Sequence, residues 1–240
     1  MMAETAEPII DYRSAHIPTG QVTLEGTLNL PQEAVAVVLF AHGSGSGRQS
    51  PRNWHVANVL NQARLATLLI DLLTPEEEEI DVFTGELRFD IGLLAQRLVT
   101  ATEWLTQYAD TRWLPIGYFG ASTGAAAALR VAAQRPDHVG TVVSRGGRPD
   151  LAGTVLPHVR APTLLIVGGN DLQVIELNEE ALRLLRCEKK LVIVPGASHL
   201  FEEPGALDEV AGLARWWFLR HLTRPMQSDV NMARDAPDDR

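Results

Sequence analysis

One cysteine, Cys187, stands in 240 residues, so neither an intramolecular disulfide nor a cysteine-cluster metal site is open to the chain. Aromatic residues make up only 6% and do not interleave with basic ones, and no Lys/Arg-rich run occurs. With a formal net charge of −9, a nucleic-acid partner would have to be bound against the protein's own field. No apolar stretch approaches the roughly 18 residues that span a bilayer. The acidic start, Met1 to Pro8, lacks an apolar signal core. These absences predict a cytoplasmic protein with no membrane partner. The histidines form no His-x₃-His pair, so neither a metal nor another cofactor is expected. No insertion longer than about 30 residues interrupts the pattern of elements, which leaves little room for a cap domain.

The chain is 45% hydrophobic and 21% charged, an ordinary globular composition, and one large core suits its length. Residues from about 9 to 30 alternate polar and apolar, with Gly20 and Gly26 as turn points, which predicts an antiparallel hairpin. Continuous apolar runs follow at Ala34–Phe40, Thr67–Ile70, Ile116–Phe119, Thr163–Val167 and Leu191–Val194, with a shorter one at Val139–Val143. Such runs mark strands buried on both faces. Helices are predicted over about Asn53–Arg64, Phe89–Tyr108, Thr123–Gln134, Ile175–Arg186 and Leu207–Leu222. That alternation predicts parallel crossovers and helices on both faces of one sheet. A single domain is expected over 9–222, with a flexible tail at 1–8 and a disordered one at 223–240. The glutamate-rich stretch from Thr74 to Glu86 is expected to be a solvated loop or helix start, with cation binding as the sharper alternative.

Four of the apolar runs end in residues with chemical use, at the sheet edge where open α/β sheets bind ligands. Ile116–Phe119 leads into Gly120-Ala121-Ser122-Thr123-Gly124, and an alanine-rich helix former leads out. Strand, abrupt turn and helix place Ser122 at the apex, with the Thr123 amide at the positive end of the helix. The first run ends in His42-Gly43-Ser44-Gly45-Ser46-Gly47. This is neither a Walker phosphate loop nor a dinucleotide fingerprint, and it suits an oxyanion donor at the Ser44 amide. There His42 is expected to shape the loop. Two further runs end in Gly168-Gly169-Asn170-Asp171 and in Pro195-Gly196-Ala197-Ser198-His199. A serine hydroxyl needs an adjacent base, a histidine can take and return its proton, and a carboxylate can hold the histidine's tautomer.

The chain resembles the α/β-hydrolase superfamily and, within it, the dienelactone-hydrolase-like branch of small, cap-poor enzymes. The resemblance spans roughly Gly20 to Leu222 and rests on His42-Gly43-Ser44, Gly120 to Gly124, Gly168 to Asp171 and Gly196 to His199. It implies a mostly parallel sheet of about seven to eight strands with helices on both faces and no large cap. It also implies Ser122 as nucleophile, Asp171 as acid, His199 as base, and the amides of Ser44 and Thr123 as oxyanion hole. The chain departs from the branch at one position, because dienelactone hydrolases carry cysteine where Ser122 stands. That favours a serine esterase acting on small carboxylic esters. Cys187, expected late in a helix, is assigned to packing.

Asp150 is the main competitor for the acid, with Asp71, Glu202 and Glu203 behind it. Arg145 and Arg148 sit in a glycine-rich turn after a strand. They are either surface arginines paired with the acidic excess or forks for an anionic group of the substrate. Phe83 and Phe89 could line an acyl pocket or simply fill the core. Trp216 and Trp217 could pack inside or form a homodimer interface. Thioesterase, acyltransferase and slow ligand-sensing readings remain open beside the esterase.

Overall fold

In the computed structural model, which describes residues 8–43 and 46–223, the opening alternation forms β1 (Ile10–Thr19) and β2 (Val22–Pro31). They pair antiparallel from Ile10 opposite Pro31 to Thr19 opposite Val22. Gly20, at φ 60°, makes the turn. Gly26 does not, contrary to expectation. It lies inside β2, where a side chain would press on Leu69 and Ile70 of the neighbouring strand, so close strand approach explains this glycine.

The apolar runs form β3 (Ala36–Ala41), β4 (Leu65–Ile70), β5 (Ile116–Ala121), β6 (Thr141–Arg145), β7 (Thr163–Gly168) and β8 (Lys189–Val194). From β3 to β7 every strand residue is buried, as continuous apolar strands require. The strand order is β1-β2-β4-β3-β5-β6-β7-β8. The β1/β2 and β2/β4 pairs are antiparallel and the rest parallel. This is the expected α/β-hydrolase architecture.

Helices α1 (Pro51–Gln62), α2 (Pro75–Thr84), α3 (Glu86–Phe89), α4 (Ile91–Gln107), α5 (Thr123–Gln134), α6 (Leu172–Leu184) and α7 (Ala206–Leu222) connect the strands, with a kinked 3₁₀ segment at Pro149–His158. The period-two pleat splits β3 between two cores. Val37, Leu39 and Ala41 pack with residues of α4 and α5, while Ala36, Val38 and Phe40 pack with residues of α1 and α7. Trp217 is buried in the second core and its indole N–H donates to Thr141 Oγ1 at 2.8 Å, whereas Trp216 is 43% exposed. No helix among the described residues is long and apolar enough to cross a membrane.

Of its two expected forms, solvated loop or helix start, the Thr74–Glu86 stretch takes the second: it is mostly the regular helix α2, begun by a reciprocal cap. Thr74 Oγ1 accepts the Glu77 N–H at 3.3 Å, Glu77 accepts the Thr74 N–H at 2.8 Å, and Pro75 occupies the first turn. Glu77 also pairs with the buried Arg97 and is not a free solvated carboxylate. Arg88 and Phe89 belong to α3, and it is Asp90 that caps α4 by accepting the Leu93 N–H at 2.9 Å. Cys187 lies between α6 and β8 rather than in a helix, its Sγ 3.8 Å from Thr163 Oγ1. Of the expected tails at 1–8 and 223–240, all but Pro8 and Thr223 lie outside the described residues.

Candidate active site

Strands β3, β5, β6, β7 and β8 deliver their last residues to one edge of the sheet. At the end of β5, Ser122 has φ 49° and ψ −122°, a conformation that strains a residue with a side chain by about 1–3 kcal/mol. The strain belongs to the serine, and the flanking glycines serve close approach instead. A side chain at Gly120 would meet the Ala125 backbone, and one at Gly124 would strike the carbonyl oxygens of Ala41 and His42. Gly43 is needed for the same reason, since a Cβ there would lie 2.6 Å from the Cβ of Ser122. The helix that begins at Thr123 therefore packs directly on the end of β3. Its first amides have no partner within the helix and face the turn.

Asp171, three residues beyond β7, is the N-cap residue of α6. His199 stands in the loop after β8, and its Nδ1–H donates to Asp171 Oδ2 at 2.6 Å. A histidine so bound keeps Nε2 as its free nitrogen. Gly146, at φ 50°, lies flat against this ring, because a Cβ there would be 3.4 Å from His199 Cε1. The competing acid, Asp150, is occupied by the Arg148 fork at 2.9 and 2.7 Å. Asp71 is held by Arg48, and Glu203 accepts the Ser198 N–H at 2.9 Å. Glu202 is exposed and faces Arg52 at 3.3 Å.

His42 is buried and fixes the loop after β3. The Leu72 N–H donates to His42 Nε2 at 2.9 Å, so the proton sits on Nδ1, which donates to the Gly43 carbonyl at 2.9 Å. Burial pulls its pKa below the ordinary histidine value. Further along, the Asp71 carboxylate accepts the Arg48 N–H at 2.6 Å. The Ser44 amide, the expected oxyanion donor, lies outside the described residues.

Ser122 and His199 line one cavity of about 440 Å³ together with Arg52, Arg145, Arg148 and Phe89. Phe83 is corrected: it is 89% exposed on α2 and does not line this space. The two expected arginines separate. Arg148 is spent on Asp150, and its backbone N–H donates to the Ser122 carbonyl at 3.0 Å. By contrast Arg145, the last residue of β6, is 6% exposed, and its Nη1 is buried with no hydrogen-bond partner. Burial, and then the charge of Arg52, pull its pKa down to about 10. Arg52 escaped notice in the sequence. Its signal was present, because an arginine in the first turn of a helix stands at the wrong end of the dipole. A second cavity of about 450 Å³ shares Gly43 and Ser46 with the first, and Thr123, Arg48, Asp71 and Arg88 line it.

No family profile matches the chain. A Mycobacterium tuberculosis protein named "Putative phosphoribosyl transferase" is 53% identical over 220 residues, 92% of this chain and 49% of that protein. The chain thus spans about half the length of the curated relatives it matches. The crystal structure of a dienelactone hydrolase from Anabaena variabilis is 64% identical, with a TM-score of 0.87 over 89% of this chain and 99% of that one. Est1E from Butyrivibrio proteoclasticus, at 15% identity and a TM-score of 0.73 over 87% and 98%, shares the fold.

Proposed function

The chain belongs to the dienelactone-hydrolase-like α/β hydrolases, and from that premise we propose that it is a serine hydrolase of small carboxylic esters, working through an acyl-enzyme on Ser122. The observation that carries the proposal is the His199–Asp171 hydrogen bond at 2.6 Å, made at the cavity that also holds the strained Ser122. In the first half-reaction Ser122 Oγ adds to the ester carbonyl carbon while its proton passes to His199 Nε2. Asp171 holds the Nδ1–H and stabilises the imidazolium. The carbonyl oxygen takes up negative charge, which the Thr123 amide at the start of α5 and the Ser44 amide would receive. Collapse breaks the bond to the alcohol oxygen, which leaves with the proton from His199. Water then repeats the sequence on the acyl-enzyme, releasing the acid and restoring Ser122. The transferase name of the Mycobacterium tuberculosis relative is not carried over, because it describes a protein about twice as long as the matched segment.

The test is hydrolysis of p-nitrophenyl butyrate by the wild type and by Ser122→Ala. Loss of the nucleophile is expected to lower turnover by about 10⁴- to 10⁶-fold. Equal rates for the two proteins would reject the mechanism.

A further inference from the structure

We propose that Arg145, assisted by Arg52, is an anion subsite of this centre that takes a carboxylate or phosphate carried on the alcohol portion of the ester. The proposal rests on the serine-hydrolase reading of the same cavity and deepens it to a substrate class.

Three observations carry it. A buried guanidinium is ordinarily matched by a carboxylate, since an uncompensated charge in the interior is strongly unfavourable. Arg145 breaks that rule. Among the described residues no carboxylate lies within ion-pairing distance of it, and its Nη1 is buried without a partner. The cavity compounds the anomaly instead of relieving it. Arg52 lines the same space with its own Nε buried and unpartnered, and its carboxylate, Glu202, is 63% exposed at 3.3 Å. No aspartate or glutamate is among the residues that line the cavity. Finally, the unmatched charge is at the reacting centre. Arg145 pairs with Ala121 across β5 and β6, one residue before the serine. A planar guanidinium fork with a free buried donor binds oxyanions by paired hydrogen bonds.

The side of the ester follows from proton transfer. His199 must return its proton to the leaving oxygen, so the alcohol lies against His199. The cavity that holds His199 is the one that holds Arg145 and Arg52. The neighbouring cavity beyond Gly43 holds Thr123 but neither Ser122 nor His199. The alcohol portion therefore enters the arginine-lined space, and the acyl portion the other.

Two measurements test this. The first needs no turnover: the melting temperature of Ser122→Ala is followed against inorganic phosphate and, separately, benzoate, at constant ionic strength in chloride. A saturable rise is expected, which Ser122→Ala/Arg145→Met loses and Ser122→Ala/Arg145→Lys retains in part. Should the Met variant not fold, Ser122→Ala/Arg52→Gln serves, with a weakened rise expected. The anion giving the larger shift separates phosphate from carboxylate. The second compares 4-carboxyphenyl butyrate and 4-phosphonooxyphenyl butyrate with phenyl butyrate. The kcat/KM ratio of the better anionic ester to the neutral one is expected to fall by about 10²-fold in Arg145→Met, the range of a hydrogen bond to a charged group. No saturable shift in Ser122→Ala, or a shift that survives Arg145→Met, overturns the subsite. A preference for phenyl hydrogen succinate over the alcohol-side anions overturns the side. Inactivity toward every ester rejects the hydrolase reading, while the melting data still decide the subsite.

Discussion

The two cavities that meet at Gly43 treat their arginines in opposite ways. On the α2 side every cation has an anion: Arg48 has Asp71 and Glu25, and Arg88 has Asp81. Behind that wall Arg97 has Glu77. On the Ser122 side Arg148 is matched by Asp150 and Arg52 by the exposed Glu202, while Arg145 is buried and has no matching carboxylate among the described residues. The first arrangement is what folding alone would select, because buried charges are retained when they are paired. The second should lower the stability of the unliganded protein, because an uncompensated buried charge is costly. The difference teaches that matched arginines at this sheet edge are structural, and that the unmatched one is held for something that arrives from outside.

The contrast can be broken or sharpened by substitution. The largest effect is expected at the carboxylates beside the serine cavity. Asp171→Asn should lower kcat by about 10⁴-fold because it leaves His199 in the wrong tautomer. Asp150→Asn, which frees only Arg148, should change kcat by less than about threefold for a neutral ester, within the range of a peripheral contact. Equal losses would mean that the acid has been misassigned.

The arginines themselves should respond with opposite signs. Arg97→Met leaves Glu77 without its cation and should cost about 2 kcal/mol, reduced from the fully buried case because Glu77 reaches solvent. Arg145→Met removes an uncompensated charge and should stabilise the free protein by about 1–2 kcal/mol. Differential scanning calorimetry of the pair would show one midpoint falling and the other rising. Two falling midpoints would deny that Arg145 is unmatched.

A smaller effect is expected from pH at the wall between the cavities. The folded protein holds His42 below its unfolded value of about 6.5. Above that pH both states are neutral at this site and it adds no pH dependence. As pH falls below it, the unfolded chain takes the proton first, so stability is lost toward pH 5. Glu77, lowered mainly by its hydrogen bond to Arg97, adds its own loss only as pH falls below about 4.5. Melting midpoints from pH 7.5 to 5 should therefore decline in the wild type and less steeply in His42→Gln, where His221, also held low by burial, still contributes. The smallest effect belongs to Phe83→Ser, expected within ±0.5 kcal/mol at so exposed a site, against a raised KM for Phe89→Ala.

The arrangement of strands was legible because the apolar runs are local, and the elbow because strand, serine and small-residue helix are contiguous. Much of α2 was legible too, had Thr74-Pro75-x-Glu77 been weighed as a cap signature rather than as acidic composition. Gly26 misled because a glycine reads alike in a turn and in a crowded strand. Arg145 and Arg148 could not be told apart, standing three residues apart in one glycine-rich turn. What separates them is that Asp150 folds back on Arg148, while Arg145 is carried inward at the end of β6. Arg52 reaches the same cavity from a segment about ninety residues earlier in the chain, a convergence that no local pattern records.

The most direct test of the serine assignment is covalent. The protein would be incubated with a fluorophosphonate and its tryptic peptides read by mass spectrometry. The account predicts one adduct per chain, on Ser122, lost in His199→Ala. An unmodified Ser122, or an adduct on another residue, would contradict it.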